Sequence, residues 1–562
     1  MIFKIFFIIN IISFLFSNVS QKENLKSVKN SFNNNESASD YFKLFNKSFN
    51  ILKVNYVDSL NESEIIKEGI KGLSKKLDPY TKLLEGNSLQ SYENLKRGKY
   101  GGVGIQITKR RDTLTVLNVF EDSPAYSEGI FTGDDIMMID STETKNLSIK
   151  ECSNLIKGEL DSSVVLHVYR SATKEKLKFE LFRSNIKLQN VPYWGIDNDG
   201  IGYIKITKFS KNVDKDFKNA LLELKENGLK SLIIDLRGNS GGLLNVAINM
   251  LDYITEKNDF LLEQRAKVQK FNRKYKSKIK PIIDSDIPIV VLINKSSASA
   301  SEILSGAIQD LDRGIVIGEK SFGKGLVQRI WKLNDTLSIK LTSAKYYLPS
   351  GRLIQKQDYL DNGFLTDQLD KNDSLFYTKN GRLVKGGGGI NPDVESKKEK
   401  FTNFVNALWK EKMFLSFASK YVAKNKNLLK EVEITDNLLS SFYNFLIKSD
   451  FKYFEKGEKD INKIKKIMIE KNISINPYSK NISYSKPGRL VKELDSYISL
   501  IKRINFYDEE NLKFIKNGLL REISRLVHGE KERIKVSLFN DSVYLNALDV
   551  IKSERYYEIL GY

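Results

Sequence analysis

Apolar positions across residues 40–92 recur at three- and four-residue intervals, first in DYFKLFNKSFNILKVNYV and then in SEIIKEGIKGLSKKL, which predicts amphipathic helices. The Asp-Pro of DPYTKLL (78–84) ends that run, because proline lacks an amide and disfavours helix in the residue before it. From 96 to 184 the period shortens to two in YGGVGIQIT, DTLTVLNVF, SSVVLHVYR and KLKFELFR, with helical spacing only in SPAYSEG and SIKECSNLIKG. From 185 to 398 short apolar runs (GIGYIKI, SLIIDL, IPIVVLIN) alternate with helical patterns such as VDKDFKNALLELKENG and LLNVAINMLDYI. Buried strands alternating with amphipathic helices predict an α/β core with a largely parallel sheet. KGGGGINPDV (385–394) reads as its exit loop, and from 399 to 562 the pattern is helical and lysine-rich. The expectation is a multidomain α/β chain. It has a helical region over 40–95, a mixed α/β unit over 96–184, an α/β core over 185–398 and an α-helical extension over 399–562.

Residues 1–20 fall outside these patterns. One lysine precedes an apolar run that ends near Phe16, the length of a signal-peptide core and short for a membrane span. No clear cleavage site follows, so residues 1–20 read as a signal peptide or a retained N-terminal anchor of an exported chain. The net charge of +20 comes mainly from lysine spread along the chain rather than from a basic block with interleaved aromatics, so no nucleic-acid partner is expected. A single cysteine, Cys152, excludes an intrachain disulfide, and only two histidines, His167 and His528, speak against a zinc site. No metal and no cofactor is expected.

The chemistry concentrates in INKSSASASEILSGAIQD (293–310). A strand ends at Asn294 and a helix begins near Ser299 and runs to about Asp310. Ser299-x-x-Glu302 fits a capping box, and Ser296, Ser297 and Ser301 fit a polar helix start. A serine at a helix N-terminus also sits in the positive potential of unpaired amides, which suits a nucleophile. GEKSFGKGLVQRIWKL (318–333) supplies what a nucleophile needs. Lys324 lies between two glycines and shares a strand face with Leu326 and Gln328; a buried lysine can serve as general base, with Gln328 holding its amine. The same residues nearly form a phosphate-binding loop, but Gly325 stands where a hydroxyl is needed and a strand follows where a helix is needed.

Together these residues resemble the carboxyl-terminal processing (tail-specific) proteases, serine peptidases of the S41 type. SASASE (297–302), QD (309–310) and FGKGLVQ (322–328) match the family pattern, as do IIDLRGNSGG (233–242), YYLPSGRLIQ (346–355) and GGINPDV (388–394). YGGVGI (100–105), SPAYSEGI and GDDIMMID resemble the family's PDZ domain, and LDPYTKLL (77–84) a segment before it. The resemblance implies a ClpP/crotonase-like core with Ser299 as nucleophile, Lys324 as general base and Gln328 as orienting residue. Ala300 and Gly241 are the candidate oxyanion donors, and Asp310 reads either as an orienting group or as a solvated helix end. Gly101, Gly102, Val103, Gly104 and Ile105 are expected to receive the C-terminus of a polypeptide with an apolar tail. The implied location is the periplasm, with a possible tether to the inner membrane. The helical ends leave room for an adaptor or a homodimer. Two other readings remain open: a PDZ-based adaptor on a protease-like scaffold, and an acyl-thioester hydrolase of the crotonase type.

Overall fold

The computed structural model describes residues 37–562 apart from 111, 172, 188, 357–374, 426–431, 450, 452, 456 and 471–488. The proposed signal segment, 1–20, lies outside the described residues. The chain divides into two compact bodies, 1–76 and 77–562, and the expected second and third units both fall in the latter. In the first, helices Ala38–Asn55 and Glu62–Lys75 follow the predicted periodicity. Asn61 caps the second by accepting the Glu64 N–H at 3.2 Å.

The helices break at DPYTKLL as the sequence predicts and resume in helix Gly86–Arg97, with an unexpected strand between them. Asp78 accepts the amides of Tyr80 and Thr81 and the Thr81 hydroxyl, each at 2.7 Å, and so turns the chain. Strand Lys82–Glu85 then pairs antiparallel with Leu337–Tyr347, setting Lys82 opposite Lys340. A local proline signal marked the break, but pairing between segments so far apart in the chain is invisible to periodicity.

Residues 99–187 form the second expected unit. Strand Ile105–Arg110 lies at the edge of a six-stranded sheet, and helix Ile149–Ile156 packs beside it. Its core includes Val103, Ile105, Leu114, Val116, Ile136 and Leu166.

The third unit carries a six-stranded sheet whose strands run in the order 193–196, 201–205, 231–235, 289–293, 315–318, 394–395. Only the first pairing is antiparallel. Helices Val213–Glu226, Leu244–Asp252 and Ala300–Asp310 cover one face. The other face is covered by the end of the chain. Tyr203, Ile233, Val290, Leu292 and Ile317 pack against Val543, Ala547, Val550 and Ile551 of helix Ser542–Ile551 and against Leu560. The Tyr556 hydroxyl accepts the Ile289 N–H at 2.9 Å. A core confined to 185–398 is therefore incomplete: its second layer comes from beyond residue 538, within the expected extension.

The rest of the extension, helices from Asn403–Lys410 to Glu509–Leu538, packs around Phe404, Phe414, Phe417, Phe442 and Phe506. It touches the second unit through the Arg110–Glu411 ion pair and through Arg525 donating to the Leu117 carbonyl. Among the described residues no helix is long and apolar enough to cross a membrane.

Val550 is 1% exposed beneath the sheet. Val550→Asp would bury an unpaired carboxylate there and is expected to cost roughly 3–5 kcal/mol. Denaturant melts of the full chain would register this as loss of the core transition.

Candidate active site

Strand Ile289–Ile293 is fully buried, and the chain leaves it through a turn that reaches helix Ala300–Asp310 at Ser299. The serines of this turn separate by what their hydroxyls do. Ser297, fully buried, donates to the Leu236 carbonyl at 2.9 Å. Ser301 donates to the Asn239 carbonyl at 2.8 Å, and Ser305 to the Ser301 carbonyl. Ser296 is exposed. The hydroxyl of Ser299, half-buried at the helix N-cap, donates to no group among the described residues.

Ser299 has φ +56° and ψ −113°, a conformation that costs an L-residue on the order of 1–3 kcal/mol. Its backbone is held on every side. The N–H donates to Glu302 Oε2 at 2.7 Å, and the carbonyl accepts the amides of Glu302 and Ile303, both at 2.9 Å. The Tyr346 hydroxyl lies 3.3 Å from that carbonyl and 2.5 Å from the Lys324 carbonyl, to which it donates.

Glu302 was legible only as a capping residue, and the structure gives it a larger part. Fully buried, it accepts the Ser321 hydroxyl at 2.5 Å and the Gly323 amide at 2.6 Å on Oε1. On Oε2 it accepts the Lys324 amide at 2.9 Å beside that of Ser299. Burial pushes its carboxyl up, and the four donors work against that shift. One oxygen atom thus receives the amides of both the candidate nucleophile and the candidate base.

Lys324 does not belong to the strand, which begins at Leu326, and the strand carries a register shift between Val327 and Gln328. The expected alternation of 324, 326 and 328 on one strand face is therefore corrected. The contact nevertheless forms: Lys324 Nζ donates to Gln328 Oε1 at 2.7 Å. The Tyr80 ring covers the amine, its centroid 4.8 Å away. Burial first, and then the nearby Lys340 charge, bring the Lys324 amine down to about 8, against the opposing pull of Glu302 and Asp78. Tyr80 and Asp78 come from the segment 77–85; their only signal in the sequence was the match of LDPYTKLL.

The glycine loop approaches from the other side. Asn239, fully buried, accepts the Ala298 amide at 3.1 Å on its carbonyl and the Gly241 amide at 2.8 Å on Oδ1. Gly241 thus has its N–H already engaged, which corrects its expected role as an oxyanion donor. What it supplies is close approach. Its φ is +89°, and a Cβ there would lie 2.8 Å from Ser299 Cβ and 2.9 Å from the Ala300 nitrogen. The Ala300 N–H, at the first helical position beside Ser299, has no partner among the described residues. Asp310 is not a solvated helix end: it is buried, pairs with buried Arg352 at 2.7 Å and accepts the Ser350 hydroxyl and amide.

In the second unit, Val103, Gly104 and Ile105 line a small pocket with Tyr100, Ile107 and Ile156, of about 20 Å³. Gly101 and Gly102 lie outside that lining, in a strand paired with Ser184–Lys187, so the five expected residues do not form one donor loop. Val103 and Ile105 also belong to the core of the unit. Lys157 sits over the Tyr100 ring beside the pocket.

Comparison with known proteins places this geometry in context. Residues 200–367 match the family model described as peptidase family S41, residues 101–181 that of the PDZ domain, and residues 404–551 that described as "Probable PDZ-protease, C-terminal helical domain". The chain is 31% identical over 327 residues to a carboxy-terminal-processing protease of Bartonella bacilliformis, covering 58% of this chain and 74% of that protein. It is 33% identical over 314 residues to a carboxyl-terminal-processing protease of Picosynechococcus, covering 54% and 72%. Among solved structures, the photosystem II D1 C-terminal processing protease aligns at 27% identity and a TM-score of 0.36, covering 64% of this chain and 86% of that one.

Two expectations follow from the buried charges. Glu302→Gln would set an amide NH₂ against groups that are themselves donors, and should cost at least about 3 kcal/mol in denaturant melts. Lys324→Met should do the opposite. The Lys324 amine is harder to protonate in the folded than in the unfolded chain, so its charge opposes folding fully below about pH 8, and the penalty fades as pH rises towards the unfolded value of 10.5. The variant should gain ~1–2 kcal/mol at pH 7, allowing for partial solvent access and the lost Gln328 bond, and the gain should vanish above the unfolded value. Melting curves of both proteins across pH would check the sign.

Proposed function

Because the chain belongs to the carboxy-terminal-processing proteases of peptidase family S41, which are serine-type peptidases, we propose that Ser299 is its nucleophile, Lys324 its general base and Gln328 the residue that orients the lysine amine. The observation that carries this reading is the shared Glu302 oxygen, which fixes the backbones of Ser299 and Lys324 together while the Lys324 amine is lowered to about 8. A neutral amine of that basicity accepts a proton near physiological pH.

In this mechanism Ser299 Oγ attacks the scissile carbonyl carbon and Lys324 takes the hydroxyl proton. The negative charge that develops on the carbonyl oxygen meets the free Ala300 N–H and the positive end of the helix behind it. Collapse of the tetrahedral adduct breaks the C–N bond, and the Lys324 ammonium returns its proton to the leaving amine. Water, deprotonated by the same lysine, then attacks the acyl-enzyme ester and releases Ser299. Tyr80 covers the amine, and the Ser299 hydroxyl donates to no other group among the described residues.

Substrate capture is assigned to the PDZ unit. Strand Ile105–Arg110 is an edge strand, so a polypeptide tail can add to it by main-chain hydrogen bonds and place its last side chain against Val103, Ile105 and Ile156. Tyr100 and Lys157 flank the pocket, with the Lys157 amine over the Tyr100 ring. We infer export, with or without a retained anchor, from the apolar run in residues 1–20, and the periplasm from the resemblance to bacterial members of the family.

The test is cleavage of an unfolded reporter ending in an apolar tail. Wild type should cut it, with kcat rising with pH to a plateau above about 8 as Lys324 loses its proton. Ser299→Ala and Lys324→Ala should each lower kcat by at least about a thousandfold while the tail still binds. A wild type that binds the tail and never cuts would favour the adaptor reading instead.

A further inference from the structure

The last helices of the chain do more than cover a sheet. Asp541 caps helix Ser542–Ile551, accepting the amides of Val543 and Tyr544 on Oδ1 at 3.1 and 3.2 Å. The same oxygen accepts Arg237 Nη1 at 2.7 Å. Arg237 also donates to both oxygens of Asp235, from Nε at 3.0 Å and from Nη2 at 2.8 Å. Asp235, 1% exposed, also accepts the Tyr203 hydroxyl at 2.7 Å and pairs with Lys205 at 2.9 Å. Two carboxylates and two cations therefore balance in a cluster largely out of water. Lys398, its amine pushed down by burial, lies within electrostatic reach of Asp541, Arg237 and Lys205. Losing the Asp541 charge removes one of the two carboxylates that face these three cations.

Arg237 opens the glycine loop. Its neighbour Gly238 donates to Asn294 Oδ1 at 3.0 Å, in the turn that leads to the nucleophile. Asn239 receives the Ala298 amide and the Ser301 hydroxyl on either side of Ser299, and Gly241 lies against Ser299 itself. A short, hydrogen-bonded chain thus runs from the cap of a helix near the C-terminus to the nucleophile turn.

We propose that Asp541 is a positioning residue of the peptidase site: through Arg237 it fixes the loop 238–242 against Ser299, and it makes the C-terminal helices a working part of the catalytic unit. The proposal rests on the reading of Ser299 as nucleophile. It does not require Asp541 to approach substrate. Its two bonds to helix amides and its bond to Arg237 join the placement of helix Ser542–Ile551 to the placement of the loop.

The test uses the full chain. Asp541→Asn keeps a cap acceptor and the side-chain size but removes the charge. Tyr556→Phe removes the hydroxyl bonded to Ile289 in the same helical layer, without touching Arg237, and controls for loss of packing. Cleavage of the tailed reporter and labelling of Ser299 by a fluorophosphonate would be measured on each at a temperature where all remain folded. Asp541→Asn should lower kcat and the labelling rate about tenfold or more with KM within about twofold of wild type, Asp541→Glu should restore much of the loss, and Tyr556→Phe should keep wild-type kcat. Equal kcat in Asp541→Asn and wild type, an effect on KM alone, or an equal loss in Tyr556→Phe would each overturn the proposal while leaving Ser299 in place. A wild type that neither cleaves nor takes the label would overturn the reading of Ser299, and this proposal with it.

Discussion

The site depends on one buried carboxylate. Glu302 sits in the first turn of helix Ala300–Asp310, yet it accepts from Ser299 behind it and from Ser321, Gly323 and Lys324 on a different segment. A carboxylate withdrawn from water is costly unless its lone pairs are filled, and here each oxygen has two donors. That requirement runs in both directions. The helix cannot begin its first turn in this form without the 321–324 segment, and the Gly323 and Lys324 amides donate to no other group among the described residues. Tyr346 repeats the connection from another side, through a hydroxyl placed near the Ser299 and Lys324 carbonyls.

The same anion sets a limit on the base. A negative charge near Lys324 favours the ammonium form, as does Asp78. Burial under Tyr80 and the proximity of Lys340 favour the neutral amine, and burial is the largest contribution, so the amine comes to rest near 8 rather than at its free value. Lys340 is in turn positioned by its pairing with Lys82, on the strand that follows the Asp78 turn. The electrostatics of the base are thus built by residues 78–82 and 340 as much as by its own loop.

Much of the local chemistry was legible in the sequence. The start of the helix at Ser299, the Ser299–Glu302 pair, the Lys324–Gln328 contact and the alternation of strand and helix all follow from short-range pattern. Most of the failures turn on partners or geometry that short-range pattern does not report. Glu302 looked complete as a cap because a capping box needs no partner outside the helix, and its donors at 321–324 join it only through the tertiary fold. Gly241 looked like a free donor because the sequence cannot show that Asn239 curls back to take its amide. Asp310 was readable as solvated because Arg352 and Ser350 lie far along the chain from it. Lys324 lies before the strand that carries Gln328, and the contact between them forms all the same.

The cover that helix Ser542–Ile551 gives the sheet was missed for a different reason, and it bears on how the chain is organised. A helix such as Ser542–Ile551, apolar over Val543, Ala547, Val550 and Ile551, has the same pattern whether it packs on other helices or on a sheet. Periodicity reports that a face is buried and says nothing of what buries it. The sheet strands offered a matching signal, since continuous apolar runs such as IPIVV and SLII demand cover on both faces. The helices predicted between residues 185 and 398 cover only one. Counting faces against available helices would have required a second layer from elsewhere in the chain, and the extension was the part of it with helices to spare.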